Sequence, residues 1–163
     1  MKEKLQEYAL IAEILSALAV VASLVFVGLQ INQQSEETAL NTRAIETAAY
    51  QDLIQQIGLI NTLVIENGEF AKIRLAGFLG DEFENPEDES RFRSYVNLLG
   101  RHGDLAYRQY KSGLIDDSAL RSVLTPLIGM MQYPGVRANW KRLVPGLNSE
   151  YVEYVEQLFE SDT

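Results

Sequence analysis

The sequence predicts an all-α protein: an N-terminal transmembrane helix followed by a small antiparallel helical bundle. Three observations carry this. Residues 8–31, YALIAEILSALAVVASLVFVGLQI, form a nearly uninterrupted apolar run. The rest of the chain places apolar residues at helical spacing, punctuated by Asn-Gly, Asn-Pro and Pro-Gly pairs. No strand-like alternation of useful length occurs. The chain therefore divides into an anchor with a short flank, residues 1–32, and a helical domain, residues 33–163.

Residues 14–29 carry no charge, and Ser16 and Ser23 are their only polar side chains. As a helix, residues 8–31 span roughly 36 Å at about 1.5 Å per residue, enough to cross a hydrocarbon core of about 30 Å. Glu13 lies near the start of the run, where a carboxylate costs less than at the bilayer midplane. Tyr8 suits the membrane interface. A cleaved signal peptide fits poorly, because the run is long and no small-x-small site follows it. A soluble core helix fits poorly too, since a chain of this size has little core in which to bury it on all sides. Ala9, Ala12, Ser16, Ala19 and Ser23 recur every three or four residues. Such a stripe lets helix backbones approach closely in lipid, which marks Ala12, Ser16, Ala19 and Ser23 as a candidate self-association face.

Beyond the run, Ser35 with Glu36 and Glu37 suits a helix start, although the segment reads equally as a continuation of the anchor. Leu40, Ala44, Tyr50, Leu53, Ile54, Ile57, Ile60 and Val64 approximate one apolar stripe. Asn67-Gly68 supplies a stop. A short helix over 69–78 then packs through Phe70, Ile73, Leu75 and Phe78 and ends at Gly80. Residues 81–90, DEFENPEDES, form an acidic turn in which Asn85-Pro86-Glu87-Asp88 starts the next helix: a cap, Pro at the first position, then acids. That helix should reach about Ser112, with Phe92, Tyr95, Val96, Leu99, His102, Ala106 and Tyr110 facing in. Gly100 and Gly103 inside it permit a close helix contact or mark a bend. Asp116 caps a further helix to about Met131, which Pro126 should kink or divide. Tyr133-Pro134-Gly135 breaks the chain before the short helix VRANWKRL, and Val144-Pro145-Gly146 breaks it again. A last helix is capped by Asn148 or Ser149 and faces in through Tyr151, Val155, Leu158 and Phe159.

Three phrases together carry a resemblance: the apolar run leading into GLQINQQSEETALNTRAIETAAYQ, then GDLAYRQYKSGLIDD, then YPGVRANWKRL. They resemble a widespread group of uncharacterised bacterial single-pass membrane proteins, in which a short N-terminal span precedes an all-α domain. The likeness covers most of the chain and implies a bacterial inner-membrane location, with no activity to carry over. It also implies a domain on the inner side, where basic residues follow the span. Here Gln30, Asn32, Gln33 and Gln34 stand at those places. The basic residues Lys2 and Lys4 before the span, against Arg43 soon after it, point the other way, to the domain outside.

Composition narrows the function. The net charge is −9, and residues 1–32 hold two Lys against three Glu, leaving 12 basic and 20 acidic side chains to the remainder. So acidic a domain is a poor partner for nucleic acid, whose binding rests on phosphate neutralisation. With no Cys, disulfides, thiolate metal sites and cysteine catalysis are excluded. There is no Gly-x-Ser-x-Gly, phosphate loop, Rossmann fingerprint, EF-hand loop or Glu-x-x-His pair. No catalytic residue, metal ligand or cofactor site is assigned.

Two clusters are left as candidate sites. His102 is the single histidine, and with Tyr107 and Tyr110 it outlines a possible pocket. A core histidine would look the same, and Asp104 sits at the wrong helical angle to orient it. Arg137, Trp140 and Lys141 form an i, i+3, i+4 set that suits an anion or an acidic partner; a solvated face pairing with the acids of 81–90 is the plainer reading. The expected role is a membrane-anchored interaction or scaffold protein, its partners the bilayer and either a second copy or another membrane protein. The alternative is a membrane-bound ligand-binding or enzymatic bundle with a pocket around His102, Tyr107, Arg137 and Trp140.

Overall fold

The computed structural model describes residues 2–161, less the side chains of Lys2, Glu3, Leu5, Glu7 and Ala9. Among the described residues the structure is all-α, with six helices and no strand. They are α1 (Lys2–Glu66), α2 (Gly68–Leu79), α3 (Pro86–Lys111), α4 (Asp117–Met130), α5 (Pro134–Leu143) and α6 (Ser149–Ser161), with a 3₁₀ turn at Val144–Gly146. By internal packing the chain forms two compact units, Met1–Ala44 and Ile45–Thr163.

The first unit is helix alone. It contains the stretch of α1 that is long and apolar enough to cross a membrane, and none of that apolar window is buried. Ala12, Ser16, Ala19 and Ser23 are all exposed; the side chain of Ala9 lies outside the described residues. Ser16 Oγ donates to the Ala12 carbonyl and Ser23 Oγ to that of Ala19, each at 2.8 Å. Both hydroxyls are thus satisfied within the helix. Ser35 does not start a new helix: α1 runs through it to Glu66. The backbone N–H groups that a Ser35 cap would satisfy already bond one turn back.

The second unit begins where α1 acquires packing. Leu53 and Ile60 are buried, and Tyr50, Ile57 and Val64 pack against the core. Leu40 and Ile54, read from the sequence as part of the same stripe, stay exposed. At Asn67 the chain turns, because the carboxamide oxygen accepts from Phe70 N at 3.0 Å and starts α2. Gly68 is the first residue of α2, so the pair caps the second helix as well as stopping the first. Gly80 ends α2 in the left-handed conformation, φ 80°. Leu75 is exposed instead of packed.

Helix α3 is the centre of this unit. Its start is the anticipated one: Asn85 Oδ1 accepts from Asp88 N at 2.8 Å, Pro86 opens the helix and three acids fill its first turn. It buries Phe92, Tyr95, Val96, Leu99, Ala106 and Tyr107, and it packs against α2, α4 and α5. Phe92, Val96 and Leu99, at most 3 % exposed, contribute about 1.5–3 kcal/mol each on burial. Gly100 and Gly103 serve close contact. A Cβ on Gly100 would run into Leu143, and one on Gly103 would meet the Tyr151 hydroxyl and lie 2.9 Å from Leu124 Cδ2. Pro126 lies inside α4 without dividing it. The α2–α5 crossing is closer still: a Cβ on Gly135 would collide with the carbonyl oxygen of Gly77, so only glycine fits after Pro134.

Helix α6 contacts α4. Tyr154 Oη donates to Asp117 Oδ1 at 3.0 Å, and Lys111 Nζ sits 2.9 Å from Glu150 Oε2.

Candidate functional site

His102 lies in the middle of α3, on the face that the sequence periodicity turns inward, and only 6 % of its surface is exposed. Both ring nitrogens are buried, and neither has a hydrogen-bond partner among the described residues. Burial pushes its pKa below the usual imidazole value; the Asp52 carboxylate on α1 opposes this with a smaller effect. The ring is therefore held neutral. Asp104 does not orient it. That carboxylate is also buried and lies 3.5 Å from Arg108 Nε, too long and poorly aligned to count as a hydrogen bond. A general base is oriented by hydrogen bonds to its ring, and none of the described residues makes one to this imidazole.

Tyr107 and Tyr110 belong to an aromatic cluster between helices. The ring of Tyr107 lies 6.2 Å from Tyr110, 5.9 Å from Tyr151 and 5.5 Å from Tyr154, centre to centre. Such contacts are packing. The Tyr151 hydroxyl is buried with no partner, and burial, reinforced by the charge of Asp104, holds it protonated. Burial and the hydrogen bond to Asp117 raise Tyr154 to about 12. His102, Tyr107 and Tyr110 line neither of two cavities on this unit. One of these is a groove of about 480 Å³ bounded by Arg121, Thr125 and Ile128 of α4 and Leu158 and Phe159 of α6. The other is a cleft of about 400 Å³ beside the acidic turn, including Asp81, Glu82 and Phe83. Among the described residues no group of three or more His, Asp or Glu side chains could hold a metal ion.

The α5 set is differently placed. Trp140 is buried edge-on against Tyr151, ring centres 5.9 Å apart, with its indole N–H unpartnered. Arg137 and Lys141 are exposed. The Arg137 guanidinium sits 4.2 Å from the ring centre of Phe159, a cation–π contact. Arg137, Trp140 and Lys141 line one recess of about 100 Å³ together with Met131, Glu156, Phe159 and Glu160. The acidic turn supplies one partner to this region: Glu89 lies 3.8 Å from Arg142.

The structure thus brings Arg137, Trp140 and Lys141 into one site and keeps His102 out of it. Sequence reasoning missed Glu156, Phe159 and Glu160. Their i, i+3, i+4 spacing mirrors that of the α5 set and was visible in the sequence. What was not visible is that α6 turns this face toward α5. An anion approaching Arg137 and Lys141 also meets two carboxylates. Compared with protein-family models, curated proteins and solved structures, the chain matches none.

Proposed function

We propose that this chain is a single-pass membrane protein whose first helix anchors an acidic all-α unit, and that the unit works by interaction with a second copy or another membrane component. One observation carries the reading: the apolar window of α1 is uncharged over residues 14–29 and nowhere buried. Leu15, Leu18, Leu24, Phe26 and Leu29 are each at least 60 % exposed. In water so continuous an apolar surface is costly, at about 25 cal/mol per Å². In a bilayer the cost vanishes, and the helix satisfies its own backbone groups as a span must. A buried core helix would have protein over this window. The resemblance to bacterial single-pass proteins supports the same reading.

The test exploits the absence of Cys. A Ser161→Cys variant is expressed in bacterial cells, fractionated, and labelled with a membrane-impermeant maleimide before and after lysis. The proposal expects full-length protein in the membrane fraction, and the Lys2 and Lys4 count expects labelling of intact cells. Membrane protein labelled only after lysis keeps the anchor and puts the domain inside. Soluble full-length protein, or a chain shortened at its N-terminus, overturns the anchor.

A further inference from the structure

The recess between α5 and α6 has a cationic wall and an anionic wall that do not close on each other. Arg137 and Lys141 stand one turn apart on α5, and Glu156 and Glu160 one turn apart on α6. Among the described residues no ion pair within 4.0 Å joins any of the four, and Lys141, Glu156 and Glu160 have no charged partner there; Arg137 lies over the Phe159 ring. Met131 and Trp140, both almost fully buried, close the inner side with apolar surface. A ligand with one charge is drawn to one wall and repelled by the other. A ligand with both charges is attracted by both.

We propose that this recess binds a small zwitterion, a molecule with a primary ammonium and an acidic group a few bonds apart. The ammonium faces Glu156 and Glu160, and the acidic group faces Arg137 and Lys141, with charge-assisted hydrogen bonds at each end. A volume of about 100 Å³ is roughly three waters' share of the liquid, room for a ligand the size of a small amino acid. The same chemistry is found in a free amino acid and in the headgroup of an aminophospholipid. The inference does not depend on the anchor.

Trp140 is the only tryptophan, so its emission reports on this recess alone. The full chain, in a non-ionic detergent, is titrated with glycine and with O-phosphoethanolamine, and in parallel with acetate and with methylammonium. The expected result is a saturable change in Trp140 emission for at least one zwitterion, with a dissociation constant of about 1–10 mM and at least about tenfold tighter than either single-charge compound. Lys141→Gln and Glu156→Gln should each weaken it about tenfold while leaving the circular dichroism unchanged; both side chains are exposed, so the fold does not rest on them. Tighter binding of glycine identifies a free amino acid, and tighter binding of phosphoethanolamine a lipid headgroup. The proposal is overturned by no saturable response to either zwitterion. It is overturned equally if acetate matches glycine, or if Glu156→Gln strengthens binding, since either marks a plain anion site.

Discussion

His102 is neutral because its ring is buried, and this makes stability depend on pH. Its folded pKa is depressed below the ordinary value of 6.5. In the unfolded chain the imidazole takes up a proton first as pH falls, so protonation favours unfolding. Stability from this residue is intact above about pH 6.5 and is lost progressively below it, until the folded ring titrates as well. Melting temperatures of the detergent-solubilised chain should therefore fall from pH 7 toward pH 5.5. His102→Leu should flatten that slope, because no second histidine exists; an unchanged slope would show that carboxylates produce it. Beside it, the Tyr151 hydroxyl is buried, unpartnered and pressed against Gly103. Tyr151→Phe removes a polar atom that has no partner to lose. It should be neutral or stabilise by up to about 2 kcal/mol. Gly103→Ala should cost about 1–3 kcal/mol by overpacking. Combining the two should recover part of that cost, since the hydroxyl is the nearest atom the new methyl meets. Strict additivity in denaturant titrations would refute the collision.

The helices begin where local chemistry says they should. Asn67, Asn85 and Asp116 each accept a hydrogen bond from the backbone N–H three residues on. The starts at Asn85 and Asp116 were legible before any tertiary contact was known, whereas Asn67 reads from the sequence only as a stop and its cap on α2 is a finding of the structure. Replacing any one with Ala should cost about 1 kcal/mol. Gly135→Ala should cost more, about 3 kcal/mol, because its Cβ meets a backbone carbonyl on α2 and neither helix can yield without moving the other. Thermal denaturation of the four variants should rank Gly135→Ala lowest. If Gly135→Ala melts with the cap variants, α2 and α5 leave room for a methyl between Gly135 and the Gly77 carbonyl, and the collision is refuted. The inward stripe of α3 was legible for the same local reason: Phe92, Tyr95, Val96, Leu99, His102 and Ala106 recur every three or four residues, and all are buried. Helix α2 was less legible because it is apolar nearly all round. Ile73 and Phe78 are buried and Leu75 is not, a choice that depends on which neighbours arrive.

For the molecule as a whole, the anchor proposal makes assembly testable. The stripe Ala12, Ser16, Ala19 and Ser23 is exposed and its hydroxyls bond within the helix, so association through it would rest on close backbone packing and not on interhelical hydrogen bonds. Crosslinking in membranes should give a dimer band that Ala12→Leu with Ala19→Leu removes. A band that survives both substitutions puts any self-association elsewhere. The extent of the apolar run, the helix starts and the inward face of α3 are consequences of contiguous residues: hydropathy over a window, a cap with its own backbone, a period of 3.6. They could be read from the chain alone. Other features depend on groups far apart in sequence, and only the folded chain decided them. Among them are which apolar residues of α1 and α2 stay exposed and that Gly135 must clear the carbonyl of Gly77. So is the meeting of Glu156 and Glu160 with Arg137 and Lys141 around one recess. Local patterns show which way a helix can face, but the distance between two faces exists only after the helices have packed.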